Sequence, residues 1–230
     1  LGDSLDDVLV AHLVDDPARA MPALDCLKTP EIARAVSAEV RARAGRLLQH
    51  KELAVRRRAA LVLRFAPAAE AAPLLAAALH DRRAEVRRNA TTALLEQGPL
   101  GISVLLAELA DPDPRDRASA AMALGALSEH PGRMRLWPGL DDAVVPLLDA
   151  MNDPDPRVRA RATQALDAWV GGHGVEELPV PHDRLRRALE AAIQDPDARV
   201  RRRAADAIAT LGAPALGDAL VAALADPVTQ

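Results

Sequence analysis

The sequence predicts an all-α fold, a solenoid of stacked antiparallel helix pairs, and three observations carry that prediction. The first is a repeated segment. Asp153-Pro154-Asp155-Pro156-Arg157-Val158-Arg159 returns forty-two residues later as Asp195-Pro196-Asp197-Ala198-Arg199-Val200-Arg201, and stands forty-two residues earlier as Asp111-Pro112-Asp113-Pro114-Arg115-Asp116-Arg117. Self-similarity at such a period marks units that bury their apolar faces by stacking. The second is composition: the chain is 50% apolar with two Trp, one Phe and no Tyr, so its core is Ala, Leu and Val. Ala and Leu are strong helix formers, and no stretch alternates in the period-two manner of a strand. The third is punctuation. Asp followed by Pro closes one helix and opens the next.

The elements follow in order. Residues 1–30 form a degenerate N-terminal cap, with Leu9 and Leu13 ahead of Asp15 and with Pro22 inside its second helix. Residues 30–49 read as the first helix of the next unit, with Ala44 and Leu48 buried and His50 in the place of the motif Asp. Later first helices carry the same pair of apolar positions: Leu75 and Leu79 before Asp81, Leu105 and Leu109 before Asp111, Leu147 and Met151 before Asp153, Leu189 and Ile193 before Asp195. Each second helix has a stripe at i, i+4, i+8: Val55, Ala59, Leu63; Val86, Ala90, Leu94; Asp116, Ala120, Leu124; Val158, Ala162, Leu166; Val200, Ala204, Ile208. That spacing gives a helix one buried face. Asp113, Asp155 and Asp197 stand where an N-cap is needed, and Gly98 and Gly212 suit helix C-termini. Residues 213–230 repeat the first-helix pattern (Leu216, Leu220, Leu224, Asp226) as a terminal cap or a truncated repeat. The whole, 1–230, reads as a single repeat domain with about five units over 31–212.

The consensus Asp-Pro-x-x-x-Val-Arg-x-x-Ala-x-x-Ala-Leu resembles the HEAT-like repeat family, in particular the variety found in phycobilin lyase subunits. The four copies beginning near Asp81, Asp111, Asp153 and Asp195 carry the resemblance; residues 36–66 follow it less closely and residues 1–30 poorly. It implies a right-handed superhelix with second helices lining a concave side. It also implies a structural role for a second regularity. An Arg stands six residues after each Asp, as Asp81 and Arg87, Asp111 and Arg117, Asp153 and Arg159, Asp195 and Arg201, with Arg56 after His50. In resembling proteins this Asp and Arg pair within and between repeats, a charge-assisted ladder that fixes the stacking.

Other arginines are freer. Residues 46–88 hold ten basic side chains against four acids, whereas 111–180 hold seven Arg against twelve Asp and Glu. Solvated helix faces carry charge in any case; the sharper reading is that the basic half meets an acidic partner, protein or nucleic acid. The net charge of −4 weighs against a general polyanion binder.

Two intervals of 42 residues exceed the 30 or 31 of the earlier repeats, and the excess falls in the loops 128–140 and 171–182. Insertions of this kind gather on one edge of a stack, often the binding edge. Trp137 in the first loop is either an interface anchor or a plug over the repeat junction. Trp169 falls at a core position, and Cys26 reads as a small buried hydrophobe.

Several chemistries lack their residues. HEAT-like hydroxylases use paired His-Glu metal ligands, and no His-Glu dipeptide occurs here. His130, His173 and His182 have no ligand spacing. Three aromatics are too few for a base-stacking groove. No Gly-rich phosphate loop or nucleophile elbow is present, and no apolar run reaches the length of a membrane helix. The expected function is therefore a non-catalytic cytoplasmic scaffold or adaptor, monomeric and without cofactor or metal, that holds a protein or peptide. Arg57, Arg58, Asn89, Ser119, Arg161 and Arg203 on second helices, with Trp137, are the candidate contacts. An accessory subunit or chaperone of an enzyme, as in lyase-type HEAT proteins, and nucleic-acid backbone binding through the basic half are the alternatives.

Overall fold

The structure, a computed structural model, describes residues 4–129, 143–173 and 182–211. All regular structure among them is helical. The chain divides into two compact units, Leu1–Val104 and Leu105–Gln230.

The first unit holds α1 (Leu5–His12), α2 (Pro17–Cys26), α3 (Pro30–Ala35), α4 (Ala38–Arg46), α5 (Leu53–Val62), α6 (Ala68–Leu79) and α7 (Ala84–Glu96), and runs into α8 (Pro99–Glu108). Its second helices α5 and α7 lie side by side, and α6 packs on α7. The second unit holds α9 (Pro114–Gly125), α10 (Val144–Ala150), α11 (Pro156–His173), α12 (His182–Ile193) and α13 (Ala198–Leu211). There α11 is the middle of a row, packed against α9 on one side and α13 on the other, with α10 on α11 and α12 on α13.

The periodic stripes are the core. Val55, Val86, Val158 and Val200 are wholly buried, as are Ala59, Ala90, Ala162 and Ala204. Burial of each such Val contributes about 1.5–3 kcal/mol. Asp116, standing in the Val place of its repeat, is only half-buried, and so is Leu109 before it. Asp113 caps α9 by accepting from the Arg115 amide at 2.8 Å. Asp155 and Asp197 accept from the Arg157 and Arg199 amides, each at 2.8 Å. Gly98 ends α7 at φ 67°, a left-handed conformation that favours glycine. A second glycine sets a helix spacing. A Cβ on Gly125 would stand 2.7 Å from the Ala165 Cα, so α9 and α11 approach backbone to backbone.

Four expectations need correction. Residues 30–49 are not one helix: α3 stops at Val36, whose backbone is extended, and Ser37 restarts the chain as the N-cap of α4. The Ser37 amide is taken by the Asp6 carboxylate at 2.9 Å, a tertiary contact that holds the break open. Cys26 is exposed, not buried. The buried face of α2 is Ala20, Ala23 and Leu24, and Cys26 turns away from it beside Asp25. The loop expected at 171–182 begins in helix, since α11 runs to His173, and it ends in helix, since α12 starts at His182. Likewise Ala126–Glu129 form a 3₁₀ turn at the start of the other insertion. Trp137, the rest of both loops, Gly212 and the terminal helix 213–230 lie outside the described residues.

Candidate functional site

The site is built on the turn between the two helices of a repeat. Asp153 Oδ1 accepts from the Asp155 amide at 2.8 Å, which folds the turn. The same turn recurs at Asp81, Asp111 and Asp195, with the amide two residues on at 2.7–2.8 Å. His50 performs it with an imidazole: Nδ1 accepts from the Glu52 amide at 3.0 Å. The proton of the neutral ring therefore belongs on Nε2. Nε2 faces Asp15 Oδ1 at 2.9 Å, with the imidazole wholly buried.

The ladder arginines Arg56, Arg117 and Arg159 bond in two directions. Arg159 Nη1 donates to the carbonyls of Asp153 and Pro154, at 2.9 and 3.1 Å, within its own repeat. Its Nε and Nη2 then form a fork with the Asp195 carboxylate of the next repeat, at 2.7 and 2.8 Å. Arg117 does the same with Asp111 O and Asp153, and Arg56 with His50 O and Asp81. Arg87 donates to Asp81 O and Arg201 to Asp195 O. Burial alone would raise the Asp195 pKa, but the Arg159 fork and the Asp197 amide outweigh it and hold the carboxylate below its ordinary range. Asp81 is lowered against its burial in the same way, by Arg56 and the Arg83 amide. On the rim, the Arg157 side chain brings Asp155 down to about 2 and Arg199 brings Asp197 down to about 2. The displaced carboxylates here are thus those committed to arginines. Two open grooves flank these helices, one of about 350 Å³ beside the Arg159–Asp195 rung and another of about 380 Å³ between α4 and α6.

Of the candidate contact residues, Arg58, Asn89, Ser119, Arg161 and Arg203 occupy the second helices eight residues after each motif Asp or His, and Arg57 seven after. They are less free than their sequence positions suggest. Arg58 is ion-paired with Asp25 on α2. Asn89 donates to the Arg57 carbonyl at 3.0 Å, bridging α7 to α5. Ser119 bonds back to the Arg115 carbonyl at 2.8 Å. Arg161 donates to Gln164 at 2.9 Å, and Arg203 stands 3.6 Å from Asp206. The neighbouring register lies seven residues after the motif, with half-buried Ala118 and Ala160 in two of the repeats. Arg57, Arg88 and Arg202 there are exposed and make no side-chain hydrogen bond or ion pair among the described residues. Helical phase was the signal for them: with buried positions at +5, +9 and +12 and about 100° per residue, position +7 points to the far side.

Residues 102–180 match the HEAT-repeat family. No curated protein is similar to the sequence at a significant level. Among solved structures, the Crescerin TOG domain superposes with a TM-score of 0.59 at 17% identity, covering 89% of this chain and 88% of that one. A computationally designed armadillo repeat protein for modular peptide recognition gives 0.51 at 19% identity, over 88% of this chain and 98% of that one. The complex of CpcE and CpcF of phycocyanin lyase from Nostoc sp. PCC7120 gives 0.45 at 18% identity, over 95% and 81%, a match too loose to carry an argument. At such identities the likeness is one of fold. No helix among the described residues is long and apolar enough to cross a membrane. The helix pairs and the recurring Asp turn make the described chain an all-α repeat fold, and residues 102–180 of it match the HEAT-repeat family.

Proposed function

We propose that the protein is a non-catalytic scaffold that holds a protein or peptide across its second-helix face, with the long-loop edge around Trp137 adding contacts. The observation that carries this reading is the division of labour along each second helix. One side is locked by wholly buried Val and Ala and by Arg–Asp forks, while the other carries polar side chains that are exposed at Arg57, Arg88, Arg161 and Arg202 and half-buried at Arg58, Asn89, Ser119 and Arg203. A face fixed in advance loses little ordering entropy on binding. The designed armadillo protein of the same fold recognises peptides in a modular way, and that use of the fold suits this face.

The test is affinity capture from native cell extract with the full chain as bait, with and without nuclease. A dominant protein that survives nuclease, and is lost when Arg57, Arg161 and Arg203 are replaced by Glu, supports the scaffold. Retained material that vanishes with nuclease overturns it in favour of nucleic-acid binding. So does a protein held equally by every face and loop variant.

A further inference from the structure

In the first unit the exposed face of α5 and α7 has cations without counter-charges. Arg57 and Arg88 occupy equivalent registers on these two packed helices, both exposed and both without an ion pair among the described residues. Arg82 and Arg83, in the turn that leads into α7, are exposed and unpaired in the same sense. Glu52, Asp81 and Glu85 stand near the helix starts, and the Asp81 carboxylate is already committed to Arg56 and the Arg83 amide. In the second unit the same register holds Ala118, Ala160 and Arg202, so no two packed helices there repeat the pair, and two of the arginines at its helix starts are matched by acids. Arg157 and Arg199 are each neutralised by the capping aspartate two residues before them, at 2.7 and 2.8 Å. In α7 the N-cap position is Arg83 itself, which makes no side-chain cap bond.

We propose that the α5–α7 face binds an extended acidic peptide segment, whose carboxylates pair with Arg57 and Arg88. This deepens the scaffold reading above and rests on it. Packed helices lie about 8–10 Å apart, and an extended chain in the polyproline II conformation rises about 3.1 Å per residue and returns every third side chain to the same face. Carboxylates three residues apart on a peptide crossing the two helices therefore match two arginines one repeat apart. Guanidinium groups take carboxylates in a bidentate fork, which gives such a contact its geometry. A nucleic acid fits less well. The one Phe, Tyr or Trp of the unit, Phe65, is already covered on a face by the Arg64 guanidinium at 4.6 Å, so the unit has no row of aromatic rings for successive bases to stack on. The net charge of −4 also opposes a long polyanion.

The experiment is fluorescence anisotropy with the full chain and a labelled Gly/Ser peptide bearing Glu at every third position. A Gln counterpart of the peptide and a thymidine oligonucleotide serve as comparisons. The expected result is saturable binding of the Glu peptide and little of the Gln peptide. The Arg57→Ala, Arg88→Ala double variant is expected to weaken binding about tenfold or more, which corresponds to about 1.4 kcal/mol. Arg202→Ala, on α13, should leave it unchanged. Both variants change exposed side chains without partners, and circular dichroism checks that helix content is retained. The inference is overturned if the Glu peptide does not bind, if the Arg57/Arg88 variant binds as well as the parent, or if the oligonucleotide binds more tightly than the peptide. Capture of a native partner that depends on Arg161 and Arg203 but not on Arg57 and Arg88 would leave the scaffold standing and sink this inference alone.

Discussion

Replacing Asp195 by Ala removes three hydrogen bonds at one point. The carboxylate accepts from the Asp197 amide at 2.8 Å, from Arg159 Nη2 at 2.8 Å and from Arg159 Nε at 2.7 Å. Both side chains are largely withdrawn from water, 13% exposed for Arg159 and 9% for Asp195. The variant therefore strands a desolvated guanidinium instead of returning it to solvent. Loss of one partner of such a pair costs about 3–5 kcal/mol. Asp195→Asn keeps an amide oxygen for the turn and gives up the charge, so it should lose about 1–2 kcal/mol. The assay is urea unfolding followed by circular dichroism, in a cycle of Arg159→Ala, Asp195→Ala and the double variant. The bonds from Arg159 Nη1 to Asp153 O and Pro154 O are lost equally with and without Asp195, so they cancel, and the cycle isolates the fork. A coupling energy of about 1–3 kcal/mol is expected. A value below about 0.5 kcal/mol would refute the reasoning, because it would make the rung an ordinary surface ion pair.

Other consequences are equally direct. Asp155 and Asp197 are held at about 2, and Asp81 and Asp195 below their ordinary range. A lowered folded pKa means that the unfolded chain binds more protons, so this contribution is complete above about pH 4 and disappears as pH falls towards about 2. Tm should fall through that window, and Asp155→Asn with Asp197→Asn should flatten the slope. Gly125→Ala should destabilise by about 1–3 kcal/mol, since its Cβ meets the Ala165 backbone at 2.7 Å. Gly45→Ala should be near neutral, because its Cβ meets only the movable Leu74 Cδ1 end, at 2.6 Å, and thermal unfolding of the two variants compares them. His50→Ala should cost about 1–3 kcal/mol by orphaning the Glu52 amide. Asp15→Asn, which still offers an oxygen to Nε2, should cost much less, and hydrogen exchange over α1–α5 reads both.

The stacked helix pairs were legible in the sequence because burial is periodic. A Val or Ala that must face a neighbouring repeat recurs at helical spacing, and the Asp turn recurs with it. Val86, Ala90 and Leu94 could be placed in the core from spacing alone, and Trp169 likewise; its indole is 2% exposed and donates to the Leu124 carbonyl at 3.0 Å. Where the repeat decays, so does legibility. The break at Val36–Ser37 depends on Asp6, thirty-one residues away from Ser37, and no local signal announces it. The exposure of Cys26 depends on which side of α2 meets the neighbouring helices. The direction of each rung was likewise a tertiary matter: sequence places Arg159 six residues after Asp153, but only packing brings its fork to Asp195.

What the sequence determined by itself is the set of positions that must be buried or turned, since these follow from periodicity and backbone chemistry within one repeat. What the tertiary structure alone decided is which polar groups remain uncommitted. Arg58 and Arg57 are neighbours of the same type in the chain, yet Arg58 meets Asp25 from a distant helix while the Arg57 side chain makes no hydrogen bond or ion pair among the described residues. Ion pairing is settled by the facing helix, and that helix is supplied by a different part of the chain.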